Sequence, residues 1–186
     1  MSASGEAVRA FVALELEPTL RAALGELQTR LRPRLGEVRL VRPDGIHLTL
    51  RFLGEASPAQ VESLVPALGA AAAGCPPVTA RVGGLGFFPQ AGSPRVLWVG
   101  LELPPPVLEL QRACERAARA AGFEAEARPF RPHLTLGRWR SLAARPALPT
   151  VELGVARLDS LVLFRSRTRP QGATYTPLAR FPMGSG

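Results

Sequence analysis

The spacing of hydrophobic positions predicts alternating strands and helices along the first third of the chain. Residues 8–16 alternate between apolar and other side chains, which is typical of a half-buried strand. Leucines three and four residues apart then predict a helix over 18–31. Short strands predicted at 37–42 and 46–53 complete a first β-α-β-β unit.

The remaining pattern continues this mixture. Ser57 followed by proline predicts the start of a second helix. We expect a third helix over 107–121, strands at 78–85, 95–103, 132–139, 151–158, 160–167 and 174–181, loops at 86–94, 141–149 and 168–172, and a frayed tail at 184–186. Hairpin-like neighbours among the helices favour an α+β fold over a doubly wound parallel sheet.

Length and composition predict one globular domain. The chain has 186 residues, of which 46% are hydrophobic and 20% charged, so we expect a single two-lobed domain over 1–186. Cys75 and Cys114 lie outside any CxxC or Cys/His cluster, which argues against a disulfide framework and a zinc site. No apolar run is long enough to span a membrane, and Met1 to Glu6 lacks the pattern of a signal peptide. We therefore expect a cytoplasmic protein.

The basic residues exclude some classes of catalytic and binding site. The net charge is +8, and all 23 basic residues are arginine. The lack of lysine excludes a lysine Schiff base and a Walker-type phosphate loop. The arginine surplus suits phosphate or nucleic acid, because the guanidinium matches phosphate oxygens, but it equally fits a compositional bias of the source genome. Both interpretations stay open.

The strongest motif is a repeat that contains both histidines of the chain. His47 and His133 each begin the sequence HLTL, and the two copies lie 133 − 47 = 86 residues apart. A given histidine would be followed by LTL by chance on the order of once in a thousand, so we interpret the pair as an internal repeat. Two similar β-α-β-β lobes would place both copies beside one groove.

The repeat has a direct chemical interpretation. Alternate residues of a strand share a face, so His47 and Thr49 point one way, as do His133 and Thr135. Two histidines in opposite protonation states can supply the base and the acid of an in-line displacement at phosphorus. Threonine hydroxyls can donate hydrogen bonds to the non-bridging oxygens, where charge develops. Such a site needs no metal or cofactor.

The same alternation suggests neighbours of the histidines. It places Arg131 and Trp139 on the face of the second histidine, Arg51 on the face of the first, and Arg138 on the opposite face. Phe11, on the polar side of the first strand, is the aromatic expected to be free to stack on a base. We take Arg131 and Phe11 as candidate substrate-binding residues.

These motifs resemble those of a known family. The segments RAFVALEL, HLTLRFLGE, FRPHLTLGR and LVLFRSRTRPQGATYTPLARFPM are similar to bacterial and archaeal RNA 2′,3′-cyclic phosphodiesterases, also called 2′-5′ RNA ligases, of the two-histidine phosphoesterase superfamily. The resemblance implies a bilobal α+β fold with pseudo-twofold duplicated lobes and antiparallel sheets lining a central groove. The sequence departs from the family pattern at Arg165, where a glutamine is common.

The resemblance also implies roles for individual residues. Family members open a 2′,3′-cyclic phosphate at an RNA end to a 2′-phosphomonoester without metal or nucleotide cofactor. By position, His47 matches the proton donor to the leaving 3′ oxygen, and His133 matches the base that activates water. Thr49 and Thr135 match the phosphate-binding hydroxyls.

Two alternatives remain open. The same residues would serve ATP-independent 2′-5′ ligation of tRNA halves, because the reaction is the microscopic reverse with a ribose hydroxyl in place of water. A non-catalytic RNA-binding or nucleotide-binding module would keep the groove without turnover. In each case the expected partners are RNA ends or 2′,3′-cyclic nucleotides, with no membrane or metal partner, and the expected protein is a monomer.

Overall fold

The computed structural model describes residues 6–169 and 172–184. Its helices and strands follow one another largely in the order that the sequence pattern predicts. The helices are α1 Pro18–Leu31, α2 Pro58–Ala73 and α3 Pro105–Ala120, and the strands are β1 Val8–Leu14, β2 Arg39–Leu40, β3 Leu48–Ala56, β4 Val78–Phe88, β5 Val96–Glu102, β6 His133–Arg138, β7 Glu152–Leu158, β8 Ser160–Arg169 and β9 Gly172–Pro182.

Local sequence explains where the helices begin. Each has proline in its first turn, where the missing N–H costs no intrahelical hydrogen bond. Helix α2 also has a capping box: the Gln60 N–H donates to the Ser57 hydroxyl at 3.3 Å, and the Ser57 N–H donates to the Gln60 side chain at 3.0 Å. Helix α1 buries the leucines whose spacing predicted it, Leu20, Leu24, Leu27 and Leu31.

The strands form one antiparallel sheet centred on the two HLTL motifs. Its order is β7-β4-β5-β6-β3-β1-β8-β9, with β2 paired to β6. The order β1-α1-β3, with the short β2 before β3, is repeated by β5-α3-β6, so each HLTL motif lies at the start of the last strand of its repeat, and the two repeats meet where β3 pairs with β6. The expected α+β fold with two duplicated lobes is therefore confirmed.

The two faces of the sheet differ. One face packs against the helices in the main hydrophobic core, which includes Leu48 and Leu134. The other face, here called the histidine face because His47 and His133 lie on it, carries a smaller cluster. That cluster consists of Phe11, Ala13, Val162 and Phe164, with Tyr175 packed against it. Because the helices cover one face of the sheet, only the histidine face is open to a ligand.

Three expectations about irregular segments need correction. Residues 86–88 belong to β4 rather than to a loop, because they pair with β5. The hairpin of β8 and β9 reaches further than expected, to Arg169 and Gly172, and residues 170–171 lie outside the described residues. Gly184 is anchored rather than frayed, since its N–H donates to the Ala72 carbonyl at 3.0 Å.

The remainder of the expected tail, residues 185–186, and residues 1–5 at the other end also lie outside the described part of the chain. Among the described residues, no helix is both long enough and apolar enough to cross a bilayer.

Candidate active site

The structure brings the two HLTL motifs together on adjacent strands. Leu48 of β3 pairs directly with Leu134 of β6 in antiparallel register. One step to either side, this register sets each histidine opposite the threonine of the other motif. Both leucines are fully buried in the core, so His47, Thr49, His133 and Thr135 all lie on the other face. Two imidazoles and two hydroxyls thus share one patch.

Both histidines are oriented by the same kind of hydrogen bond. Nδ1 of His47 donates to the Gly45 carbonyl at 2.8 Å, and Nδ1 of His133 donates to the Arg131 carbonyl at 2.7 Å. A carbonyl oxygen can only accept, so Nδ1 carries the hydrogen in both rings. Nε2 is therefore the nitrogen that remains for proton exchange in both motifs.

Aromatic rings surround His47 more completely than His133. The Phe11 ring stacks on His47 with centroids 4.6 Å apart, and the Tyr175 ring meets His47 edge-on at 5.1 Å. Among the residues that the structure describes, His133 has one such neighbour, since Phe88 meets it edge-on at 4.9 Å. The two halves of the site repeat their backbone pattern but provide different surroundings.

Burial shifts the pKa of both histidines downward. The pKa of His47 falls to about 4, chiefly because burial disfavours the imidazolium and further because Arg138 is positively charged; its hydrogen bond to the Gly45 carbonyl acts in the opposite direction. Burial also lowers the pKa of His133, again opposed by its backbone hydrogen bond. These shifts keep both imidazoles neutral at pH 7. A phosphodiester bound between them would raise both pKa values, because its negative charge favours the imidazolium.

A β-bulge follows the threonine in each motif. In β3, Thr49 pairs with Ala13 but Arg51 pairs with Val12, which leaves Leu50 as the extra residue. In β6, Leu136 is extra in the same way between Thr135 and Gly137. The bulges are 136 − 50 = 86 residues apart, like the histidines. Since a bulge shifts the alternation by one, the residues directly after it lie on the face opposite to the one that an uninterrupted strand would give them.

The bulge in β3 overturns the expected position of Arg51. Arg51 lies on the helix-covered side, only 6% exposed, where its Nε is 2.5 Å from Glu115 of α3. Its guanidinium also donates to the backbone carbonyls of Phe52 and Glu124. Arg51 therefore ties β3 to α3 and is not a neighbour of His47.

The bulge in β6 exchanges the expected positions of Arg138 and Trp139. Trp139 is 5% exposed within the main core, and its indole N–H donates to the Leu35 carbonyl at 3.1 Å. Arg138 is exposed on the histidine face, and its charge lowers the pKa of both His47 and His133. Strand alternation counted from His133 predicted the wrong face for both residues, because no local signal in the sequence marks Leu136 as a bulge.

Phe11, the aromatic residue expected to be free to stack on a base, is buried. Phe11 is on the predicted face, but it is only 3% exposed because it packs against His47, Phe164 and Tyr175. The expectation that its ring is free for a base is therefore wrong. Phe52 lies opposite Phe11 in register and is 53% exposed, and the two ring centroids are 6.1 Å apart.

Arg131 was predicted as a site residue and Tyr175 was not, and the structure places both near the histidines. The Arg131 side chain is exposed and its carbonyl orients His133, while its role in substrate binding stays a prediction. Sequence reasoning missed Tyr175, the one tyrosine of the chain, which contacts both His47 and Phe11 from β9. Its position depends on the pairing of β9 with β8 and β8 with β1, which local pattern does not reveal.

Comparisons with known proteins find similar sequences along most of the chain. A family described as LigT like Phosphoesterase matches residues 14–98 and 101–175. An RNA 2′,3′-cyclic phosphodiesterase of Methanothermobacter thermautotrophicus is 32% identical over 181 residues, covering 94% of this chain and 98% of the relative. One of Thermus thermophilus is 36% identical over 187 residues, covering 95% and 90%.

Solved structures are similar along the whole chain. The crystal structure of the Thermus thermophilus protein TT0787 is 33% identical with a TM-score of 0.85, covering 95% of this chain and 98% of that one. The crystal structure of E. coli LigT complexed with 3′-AMP is 27% identical with a TM-score of 0.83, covering 96% and 99%.

Proposed function

The chain belongs to the family of LigT-like phosphoesterases, and on this basis we propose that it hydrolyses an RNA-terminal 2′,3′-cyclic phosphate to a 2′-phosphomonoester. The observation that carries the proposal is the pairing of β3 with β6 at Leu48 and Leu134, which sets two histidines and two threonines on one face. That the relatives bear the name RNA 2′,3′-cyclic phosphodiesterase supports the choice of substrate.

In the proposed reaction the two histidines transfer protons at their Nε2 atoms. His133 accepts a proton from water, whose oxygen attacks the phosphorus. The bond from phosphorus to the 3′ oxygen breaks, and His47 donates a proton to that oxygen. The product is a 2′-phosphate with a free 3′ hydroxyl, and proton exchange with solvent restores both rings. The Nδ1 hydrogen bonds support this scheme because they leave Nε2 available in both histidines.

The surroundings of the two histidines support the proposed proton transfers. A proton donor with a pKa of about 4 carries little charge at pH 7, so His47 must gain its proton together with the anionic substrate. Arg138 disfavours a second positive charge nearby, and the phosphate offsets this because it pairs with the arginine and the imidazolium alike. Thr49 and Thr135 would donate hydrogen bonds to the non-bridging oxygens.

The direct test uses an oligonucleotide that ends in a 2′,3′-cyclic phosphate, incubated with the protein in excess chelator. We expect a 2′-phosphate end from the parent protein and none from His47→Ala or His133→Ala. Thr49→Ala or Thr135→Ala should lower kcat on the order of a hundredfold, as for loss of one oxyanion donor. Arg112→Gln, on the exposed side of α3, is the control and should retain activity.

Each component of the proposal can fail separately. Full turnover in either histidine variant would contradict the acid–base assignment. Activity that chelator removes and a metal restores would contradict the metal-independent mechanism. An untouched substrate would contradict the hydrolysis itself.

A further inference from the structure

A buried glutamine of helix α1 joins two distant segments of the chain on the helix-covered side of the sheet. Gln28 is 4% exposed, although glutamine is mostly found at protein surfaces. Its Nε2 donates to the Val41 carbonyl at 2.6 Å and to the Leu136 carbonyl at 2.8 Å, which uses both hydrogens of the amide. The Val41 N–H also donates to the Leu136 carbonyl, at 2.9 Å. The joined residues lie 136 − 41 = 95 positions apart.

Each of the two joined segments leads to one residue of the candidate site. Val41 begins the segment that ends at His47, in which the Gly45 carbonyl accepts the hydrogen bond from Nδ1 of His47. Leu136 is the bulged residue of β6 and directly follows Thr135. His47 lies opposite Thr135 in the register of β3 with β6. The glutamine therefore bonds to the chain just before the proposed proton donor and just after the threonine opposite it.

Helix α1 holds the segment before His47 at a second point. Pro43 packs on Gly25 so closely that a Cβ added to Gly25 would lie 3.1 Å from Cγ of Pro43. Gly25 lies three residues before Gln28, so both contacts come from one side of the helix. The position of this segment relative to β6 thus depends on the face of α1 that carries the glutamine.

Helix α3 supplies a weaker counterpart in the other half of the site. Nε2 of Gln111 donates at 3.4 Å to the carbonyl of Leu50, the bulged residue of β3. The separation 111 − 28 = 83 differs from the 86-residue repeat by three, which is nearly one helical turn. Each bulge therefore accepts a hydrogen bond from a glutamine of the helix in the opposite half. The bond from Gln28 is the shorter and more deeply buried of the two.

We propose that Gln28 is a positioning residue, which holds the segment before His47 against the bulge after Thr135 and so fixes the spacing of these two side chains. This inference rests on the proposed function, in which both residues act on one phosphate. Gln28 is buried on the side of the sheet away from the substrate, so it acts only through the residues that it holds. Reaction rates fall steeply when reacting groups are displaced, so the effect should appear in kcat.

The first arm of the test follows the histidines by NMR and needs no turnover. The chain has two histidines, so His133→Ala identifies the imidazole signals of His47. The pKa of His47 is about 4 chiefly because of burial, and Arg138 and Arg21 act in the same direction. Gln28→Met keeps the side-chain length but removes both donors. We expect the loosened segment to admit water, so that the pKa of His47 rises toward 6.5 while that of His133 stays unchanged.

The second arm measures kcat and KM with an oligonucleotide that ends in a 2′,3′-cyclic phosphate. Gln28→Met should lower kcat on the order of tenfold or more and change KM little, because a misplacement of about 1 Å can cost a hundredfold. Gly25→Ala is a second variant, which favours the helix but pushes Pro43 away from α1, and it should lower kcat by a smaller factor. Thr29→Ala, at an exposed position of α1, is the control and should leave kcat unchanged.

The outcomes separate positioning from a loss of stability. A folded Gln28→Met with the parental kcat would overturn the inference. So would a lower kcat with unchanged titration of His47, since that result indicates a smaller folded fraction and not a displaced group. If Gln28→Met does not fold, Gly25→Ala decides, and a parental kcat in that variant overturns the inference. A raised pKa of His47 in Gln28→Met, in a protein that leaves the cyclic phosphate intact, would contradict the proposed function alone.

Discussion

At the scale of single residues, the two histidines differ in their surroundings although they share one hydrogen-bond pattern. Each donates from Nδ1 to the carbonyl two residues before it, which comes from the repeated motif and its local backbone. His47 alone is stacked against Phe11 and edged by Tyr175, and its pKa falls to about 4. Burial among these neighbours lowers the pKa of His47, and the motif's own hydrogen bond to the Gly45 carbonyl acts against that shift.

This difference predicts the pH dependence of catalysis. In the proposed mechanism the free enzyme needs one histidine charged and the other neutral, and both pKa values lie below 6.5. We therefore expect kcat/KM for a 2′,3′-cyclic nucleotide to be greatest below pH 6.5 and to fall about tenfold per pH unit above the higher pKa. Bound phosphate raises both pKa values, so the optimum of kcat should lie at higher pH. Initial rates from pH 4 to 9 check this, and a kcat/KM optimum at pH 7 or above would contradict it.

At the scale of elements, the paired bulges determine which side chains reach the histidine face. Strand alternation correctly predicted the faces of the four HLTL residues because they precede the bulges. It was wrong for Arg51, Arg138 and Trp139 because they follow them. A bulge forms between two strands, so its position depends on β1 or β5 as much as on the motif itself. The sequence of a single strand therefore does not reveal where the bulge lies.

Contacts between strands likewise decide which glycines are replaceable. Added to Gly86, a Cβ would lie 2.2 Å from Cζ2 of Trp98, the residue that pairs with Thr135. We expect Gly86→Ala to lower stability by about 1–3 kcal/mol, because the indole ring must move. Trp98→Leu in the same chain should recover part of that loss. Thermal or denaturant unfolding measures both effects.

The matched control is Gly69 of α2, where an added Cβ would meet Phe181 at an ordinary 3.5 Å. Gly69→Ala should raise stability by about 0.5–1 kcal/mol, because alanine loses less backbone entropy in a helix. A neutral or stabilising Gly86→Ala would show that the Trp98 ring has room to shift.

At the scale of the whole molecule, the arginine surplus predicts where the proposed RNA substrate would bind beyond its terminal nucleotide. Arg9, Arg165 and Arg167 line a cleft of about 500 Å³ at the ends of β1 and β8. Phosphates that contact arginines release counterions, so Kd for an oligonucleotide should rise with salt. We expect a weaker dependence for a cyclic mononucleotide, which has one phosphate.

Titration of Kd against salt concentration checks this prediction. If Arg167 contacts a phosphate, Arg167→Gln should reduce the logarithmic slope by about 0.7, the value for one contact to a single strand. Arg112→Gln on α3 should leave it unchanged. Equal slopes for oligonucleotide and mononucleotide would show that the arginines reflect composition and not RNA binding, the alternative that the sequence left open.

The sequence by itself determined most of the elements, the first β-α-β-β unit, the repeat of the histidine motif and the four candidate residues of the HLTL motifs. Hydrophobic periodicity, proline positions and a repeated tetrapeptide are local signals, and neighbouring residues along the chain are enough to produce them. Only the tertiary structure decided that Arg138 and Phe52 lie on the histidine face, that Arg51 ties β3 to α3, and that Phe11 covers His47. Those outcomes depend on strand register and on side chains far apart in sequence, where packing and hydrogen bonding across the sheet override the count along one strand.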